Sequence, residues 1–345
     1  MLSISTDLPS DELPEDLKLL LSNPSENQEQ IINYLTAQDQ RGYSFIINAV
    51  MRDLNPEIRN EQSIVEAILS SLKTYPEILS QVLLKEFQIG DNNSMTLPYL
   101  VFIMEKPEIF EKILLSLQTH PEILREVLMK KNEFGNSVFI QALGDLKDFE
   151  FVEKILSSLQ TNPEVLRQVV LTQVGKFNDS ALNLLFLRGD AEKAEKILSS
   201  LQTHPDILKE VLMQENNSGS SVLIKAIDSQ KPEIVEKILS SLQTHPDILK
   251  EVLMQKNNSG SSVLIKAIDS QKPEIVEEIL SSLQTHPDIL CQVLKQVEKN
   301  NRSALHGIIL VDNSEITEKI LSSLQAHPKI LREVLMQKNN YCNSA

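Results

Sequence analysis

The amino-acid sequence predicts an all-α fold, an α-solenoid of about seven three-helix repeats of about 41 residues. Prolines recur at a nearly constant interval, at positions Pro76, Pro121, Pro163, Pro205, Pro246, Pro287 and Pro328. Apolar residues between them follow helical rather than alternating spacing. The composition, with 41% hydrophobic residues but only 4% aromatic residues and 9 glycines, favours aliphatic helix packing over β-sheets.

Two adjacent repeats are nearly identical, which indicates a duplication. Residues 215–255 and 256–296 differ only at the pairs Glu215/Lys256, Lys237/Glu278, Lys250/Cys291, Glu251/Gln292 and Met254/Lys295. Because their remaining positions are the same, both repeats are expected to fold in the same way.

Each repeat is expected to contain three helices, here named A, B and C. In the repeat 215–255, helix A covers 221–228, helix B begins at Pro232 and helix C begins at Pro246. Proline is favoured at the first helical position, and an acidic residue next to it complements the positive helix end. The stretch Asn257–Gly260 is expected to stop helix C. A serine then caps the next helix A.

The ends of the array differ from its interior. Residues 1–40 are expected to form an N-terminal helical cap, a degenerate partial repeat with helices B and C at Pro14–Leu21 and Pro24–Leu35. The array then covers 41–340, and 341–345 form a C-terminal tail. After the last helix C, 328–337, no further helix A follows, so its apolar side is expected to remain open.

The charge and the cysteine count limit the partners and the compartment. A net charge of −15 repels phosphate groups, so nucleic acid and anionic membranes are not expected partners. Cys291 and Cys342 are too few for a disulfide framework, which favours a reducing compartment. Neither a cleaved secretory signal nor a membrane span is expected. We therefore expect a cytoplasmic protein that is a monomer in isolation.

Recurring polar residues could suggest chemistry, but their spacing favours structural roles. The row of His120, His204, His245, His286 and His327 is repeated at about 8–10 Å, too far for one metal ion. Serine pairs along helix B are expected to allow close helix packing. Glutamates four residues before lysines, as in Glu233–Lys237, are expected to mark a solvated face. We therefore predict no enzyme activity, no metal site and no cofactor.

The start of helix A resembles the ankyrin repeat, whose first helix opens with Gly-x-Thr-Pro-Leu-His-x-Ala. Segments beginning at Gly42, Gly135 and Gly219 carry this pattern, and so does Arg302-Ser303-Ala304-Leu305-His306. The threonine position holds Ser44, Thr96, Ser137, Ser180, Ser221, Ser262 and Ser303. The Thr-Pro pair is absent, and the period exceeds the ankyrin length of about 33 residues. In size the three-helix unit is similar to the armadillo repeat.

The resemblance has implications for function. Divergent ankyrin-like arrays with nearly identical tandem units are similar to type IV-secreted effectors of intracellular bacteria. Such a resemblance implies an interaction scaffold that binds a host protein, after secretion into the host cytosol without a cleaved signal. His306, in the Leu-His pair of the motif, is expected to hold a turn by hydrogen bonds.

Phenylalanines suggest where a partner protein could bind. All ten lie at or before Phe186, and aromatic residues are favoured binding anchors. Phe134, Phe149 and Phe177 fall in loops where other repeats have Asn, Ser or Gln, and we predict them as partner-binding residues. Two alternatives remain open. These side chains could instead fill local gaps in the core, and the chain could be an enzyme or enzyme inhibitor with a site in residues 1–60.

Overall fold

The computed structural model describes residues 13–53, 63–89, 93–132, 134–144, 149–174, 179–180, 185, 190–298 and 302–336. The chain divides into two compact bodies, Met1–Val169 and Val170–Ala345. The first body contains the cap and repeats 1–3, and the second contains repeats 4–7, numbered by the helix C prolines from Pro76 to Pro328.

The first body begins with two cap helices, α1 (Glu15–Ser22) and α2 (Gln28–Thr36). The helices of repeats 1–3 follow as A, B and C in turn: α3 Phe45–Asp53, α4 Ile64–Leu72, α5 Pro76–Leu84; α6 Leu97–Ile103, α7 Pro107–Leu117, α8 Pro121–Met129; α9 Val138–Gly144, α10 Glu150–Leu159, α11 Pro163–Val170. Repeat 2 opens with a hairpin of two strands, β1 (Glu86–Ile89) and β2 (Asn93–Thr96).

In the second body, repeat 4 opens with strands β3 (Gln173–Val174) and β4 (Asp179–Ser180), which pair antiparallel. Helix A of repeat 4 lies outside the described residues except at Leu185. Its other helices and those of repeats 5–7 are α12 Ala191–Ser200, α13 Pro205–Met213; α14 Val222–Asp228, α15 Pro232–Ser241, α16 Pro246–Leu253; α17 Val263–Asp269, α18 Pro273–Ser282, α19 Pro287–Leu294; α20 Ala304–Val311, α21 Ser314–Gln325, α22 Pro328–Leu335.

Within each body the repeats stack helix on equivalent helix, which confirms the predicted all-α solenoid. In repeats 6 and 7, for example, helix B of one packs against helix B of the other, and the A and C helices do the same. The core between the repeats is aliphatic, as with the fully buried Val235, Ile238 and Leu249. Burial of each such side chain stabilises the fold by about 1.5–3 kcal/mol.

Proline starts every helix C, and it starts helix B in repeats 2, 5 and 6. Helix A ends at a residue with a different backbone conformation. Lys231 and His245 precede Pro232 and Pro246 in conformations outside the α region, which residues before proline avoid. At the end of helix A the chain turns through a residue with positive φ, which is a left-handed helix stop. These residues are Glu105, Gln230, Gln271 and Asp312.

Serines at the end of helix B bond within their own helix. Ser158 and Ser241, each the second of a pair, donate to the carbonyls of Ile155 and Ile238 at 2.8 and 2.7 Å. Ser282 donates in the same way to Ile279 at 2.7 Å. Each hydroxyl therefore finds its hydrogen-bond acceptor within its own helix. Ser158 and Ser282 are both buried.

Helix B lysines contact glutamates four residues before them, as expected, and Lys154 and Lys319 also form a shorter contact with the preceding repeat. Lys154 Nζ lies 2.6 Å from Glu111 but 3.8 Å from Glu150, four residues before it. Lys319 is 2.6 Å from Glu277 of repeat 6. The hydrogen bonds to these glutamates raise the pKa of both lysines. The charges therefore connect neighbouring repeats in a ladder.

A short antiparallel hairpin joins helix C of one repeat to helix A of the next, and the sequence predicted only a turn there. We call this hairpin a finger and number it by the repeat that it opens. β1 and β2 form finger 2, and single bridges define finger 3 (Lys131 with Ser137) and finger 6 (Lys256 with Ser262). Ser262 caps the following helix through the amide of Ile265, as predicted.

The cap has the two predicted helices with one corrected boundary. Helix α2 begins at Gln28 and not at Pro24, because Asn27 Nδ2 donates to the carbonyl of Asn23 at 2.9 Å and closes a turn. Helix α2 packs against α5, the helix C of repeat 1. The predicted tail, 341–345, lies outside the described residues. In the described part of the chain, every helix is too short or too polar to cross a membrane.

Candidate functional site

In fingers 1, 3, 5 and 6 the turn is built by one asparagine or aspartate and one glycine with positive φ. In finger 3, Asn132 Oδ1 accepts from the amides of Phe134 and Asn136, both at 3.0 Å. In finger 5, Asn216 accepts from both equivalent amides, and in finger 6 Asn257 accepts from the amide of Ser261. The glycine that follows has positive φ, for example 77° at Gly135, which other residues rarely adopt. This geometry projects the residue before the glycine from the tip.

Finger 1 carries an arginine and a tyrosine at its tip. Asp39 Oδ1 accepts from the amide of Tyr43 at 2.9 Å, and the Arg41 guanidinium lies 3.2 Å from Oδ2. The Tyr43 amide and the Arg41 groups hold the pKa of Asp39 below its ordinary value. The same guanidinium lies 5.8 Å from the centre of the Tyr43 ring, within the range of a cation–π contact.

Fingers 1 and 2 are joined edge to edge. Gln38 Nε2 donates to the backbone carbonyl oxygen of Gln88 at 3.0 Å, and Gln38 Oε1 accepts from the backbone amide of Gln88 at 3.1 Å. A Cβ at Gly42 would lie 2.4 Å from that carbonyl oxygen. Because this oxygen belongs to the backbone, only glycine fits there. The approach of the two fingers therefore depends on Gly42.

Fingers 2 and 3 are joined by an ion pair and a hydrogen bond. Lys130 lies 2.9 Å from Glu86, which also accepts from Ser94 at 3.1 Å. The hydrogen bonds from Lys130 and Ser94 lower the pKa of Glu86. Asn132 Nδ2 donates to the Tyr99 hydroxyl. Fingers 1–3 therefore form one connected edge of the first body, which we call the finger edge.

Of the three predicted binding residues, the structure places one on this edge. The side chain of Phe134 is 77% exposed at the tip of finger 3. Phe149 precedes helix α10 and is only 8% exposed, so its ring fills the core, as the alternative expectation proposed. Phe177 lies outside the described residues. The structure does not bring the three together.

Arg41 and Tyr43 were missed because neither lies in an apolar or unusual sequence pattern. The sequence pattern that identifies a finger turn is an aspartate or asparagine three residues before a glycine, as in Asp39 with Gly42 and Asn132 with Gly135. Aligned on that spacing, Arg41 and Phe134 occupy the same turn position. Ser218 and Ser259 occupy it in fingers 5 and 6, so among these four described turns the larger tip residues are those of fingers 1 and 3.

The histidine row lies at the start of helix C, where each histidine is the N-cap residue. His120 Nε2 lies 2.6 Å from the carbonyl oxygen of Lys73 in the preceding repeat. Among the described residues, no group of three or more His, Cys, Asp or Glu side chains is arranged to bind a metal. Ser303 Oγ lies 2.7 Å from His306 Nδ1, which confirms that this histidine holds a turn.

No protein-family model matches the chain, and no curated protein matches it. Among solved structures it is similar to the ankyrin repeat domain of Bcl-3, a member of the IkappaB family, with 16% identity and a TM-score of 0.42 over 74% of this chain and 93% of that one. An ankyrin repeat protein from Leishmania major has 10% identity and a TM-score of 0.42, over 72% and 73% of the two chains.

Proposed function

We propose that this chain is a scaffold that binds another protein through the finger edge of the first body. The observation that carries the proposal is the 77% exposure of Phe134 at a tip whose backbone is fixed by Asn132 and Gly135. An aromatic ring held on a rigid turn loses little conformational freedom on binding. Arg41 and Tyr43 extend the same edge with residue types that are enriched among binding hot spots.

We propose a binding role and not a catalytic one because histidine and serine side chains that could take part in catalysis form hydrogen bonds within the fold. His120 contacts a backbone carbonyl, the helix B serines bond within their helices, and Ser303 contacts His306. A general base must instead lie within reach of a substrate proton.

The proposal is tested by affinity capture from a eukaryotic lysate with the parent chain and the Phe134→Ser variant. Serine occupies the same turn position at Ser218 and Ser259, so the finger should keep its shape. Loss of an aromatic anchor should weaken the binding of a captured partner at least about tenfold. The matched control is Leu115→Ser, an exposed apolar residue on helix α7. Equal capture by parent and Phe134→Ser would reject the finger edge as the binding site.

We further propose that the chain is a secreted bacterial effector that acts in a host cytosol. Its nearly identical repeats at 215–255 and 256–296 support this, since they are similar in style to type IV-secreted ankyrin-like proteins. A fusion to an enzyme reporter that is active only in host cytosol tests the proposal during infection. Reporter signal should depend on the secretion system of the bacterium, and signal without that system would contradict the proposal.

A further inference from the structure

A small pocket lies between fingers 2 and 3, and we call it the finger pocket. It has a volume of about 20 Å³, which is room for one small polar group. Residues of both fingers line it, together with Tyr99 of helix α6. One of them is Asn132, whose Oδ1 also accepts from the backbone amide of Phe134 at 3.0 Å. The pocket therefore adjoins the finger tip that exposes Phe134.

The lining of the finger pocket is positively charged, unlike the chain as a whole. Two lysines and one glutamate line it, which gives a net charge of +1 in a chain of net charge −15. The glutamate, Glu86, is already neutralised because it pairs with Lys130 at 2.9 Å and accepts from Ser94 at 3.1 Å. The second lysine, Lys131, is exposed and has no ion-pair partner among the described residues. The pocket thus offers an ammonium group whose charge is not balanced there.

The Tyr99 hydroxyl supplies a second hydrogen-bond donor to the finger pocket. Because Asn132 Oδ1 accepts from two backbone amides, the atom of Asn132 that faces Tyr99 is the amide nitrogen, and it donates to the hydroxyl oxygen. The hydroxyl hydrogen is therefore not used by Asn132, and within the part of the chain that the structure describes it has no other acceptor. The ring is held in place by Phe102, with 6.0 Å between the ring centroids. A half-buried hydroxyl of this kind normally donates to a bound group.

We propose that the finger pocket binds the carboxylate of an aspartate or glutamate side chain of the partner protein, beside an apolar residue that contacts Phe134. The inference rests on the proposed function, the binding of a partner by the finger edge, and adds the chemistry of that partner. An ionised carboxylate only accepts hydrogen bonds, so it matches the two open donors, Tyr99 Oη and Lys131 Nζ. Hydrogen bonds to a charged group are stronger than those between neutral groups. The partner therefore presents a segment with an acidic residue next to an apolar one.

Selection of a displayed library of random short peptides on the full chain tests this inference. The bound peptides should be enriched in aspartate or glutamate beside an apolar residue. An enriched peptide is then compared with the same peptide in which the acidic residue is replaced by its amide, and both dissociation constants are measured by fluorescence anisotropy. The acidic peptide should bind the parent chain at least about tenfold more tightly, as expected for hydrogen bonds to a charged group.

Two variants assign the preference for the acidic peptide to the finger pocket. Lys131→Gln and Tyr99→Phe, which keeps the ring, should each reduce the preference at least about threefold. A purely structural role of either residue would weaken both peptides equally and leave the preference unchanged. The matched control is Lys85→Gln, because Lys85 is an exposed lysine directly before β1 that does not line the pocket. This variant should keep the preference of the parent.

The Phe134→Ser variant separates this inference from the proposed function. It should weaken both peptides and keep the preference for the acidic one. Peptides that depend on Phe134 but show no preference for an acidic residue would overturn the carboxylate inference and leave the finger edge as the binding site. A preference that Lys131→Gln and Tyr99→Phe do not change would also overturn the inference. Peptides without that preference that bind independently of Phe134, or a selection that yields no binding peptide, would contradict both.

Discussion

A single glutamate interrupts the ladder of ion pairs between B helices. In repeat 5, Lys237 lies 3.1 Å from Glu195 of repeat 4. Repeat 6 has Glu278 at the lysine position. Partial burial, followed by the nearby charges of Glu236 and Glu277, raises the pKa of Glu278 above its ordinary value of 4.5. One of the five differences between the duplicated repeats therefore replaces an attraction with a repulsion.

Replacing this carboxylate should stabilise the protein at neutral pH. Because the pKa of Glu278 is raised by folding, its contribution to stability is fully present below its ordinary pKa and is lost as the pH rises through the raised pKa. The variant Glu278→Gln avoids that loss. Its unfolding midpoint in urea should equal that of the parent near pH 4 and exceed it at pH 7.

Glu278→Lys should stabilise further at pH 7, since an ion pair with Glu236 of about 0.2–1 kcal/mol would complete the ladder. Glu274→Gln on the same helix is exposed and serves as the control, with no comparable gain. If Glu278→Gln differs from the parent in stability by the same amount at both pH values, the charge of Glu278 does not cause the difference.

At the scale of elements, buried glutamines connect the end of helix C in repeats 5 and 6 to the preceding repeat. Gln255 Nε2 donates to the carbonyl of Met213 at 3.2 Å, and Gln296 donates to Met254 at 2.8 Å. Both side chains are buried. Each bond satisfies a carbonyl at a helix end, where the helix itself supplies no donor. These residues position the fingers, which begin directly after them.

Removing one of these glutamines should therefore loosen the contact between two repeats. Gln296→Ala should lower the free energy of unfolding by about 1–3 kcal/mol, because the Met254 carbonyl loses its donor and a buried gap remains. Urea unfolding followed by circular dichroism measures the loss. Gln284→Ala, at an exposed position just before helix α19, should change stability by less than about 0.5 kcal/mol. Equal effects of the two variants would contradict the structural role of Gln296.

At the scale of the whole molecule, an array of repeats needs its ends covered. Cap helices α1 and α2 bury Leu17, Ile31 and Leu35, and α2 packs against both α3 and α5 of repeat 1. Terminal repeats require such a cap because their outer side would otherwise meet water.

Deleting residues 1–38 should lower the thermal midpoint and the solubility, because the apolar sides of α3 and α5 become exposed. Thermal unfolding and the soluble fraction after expression measure the effect. Deletion of residues 1–12 alone keeps both cap helices and is the control. If the longer deletion melts like the full chain, residues 13–38 do not act as a cap.

Sequence periodicity alone determined the helices and their order. The recurring prolines, the acidic residues after them and the helical apolar spacing specify where helices B and C begin, because these preferences act within a few residues of the chain. The boundary of α2 was the exception. There the turn depends on Asn27 reaching back to Asn23, a contact that no proline marks.

Only the tertiary structure decided what the repeats present to a partner. Phe134 and Phe149 both lie in loops of repeat 3, yet one ring is exposed at a finger tip and the other is buried beside α10. Exposure depends on what packs against a side chain, and those residues come from other parts of the chain. For the same reason the inter-repeat ion pairs follow from the stacking of repeats, which local sequence preferences do not encode.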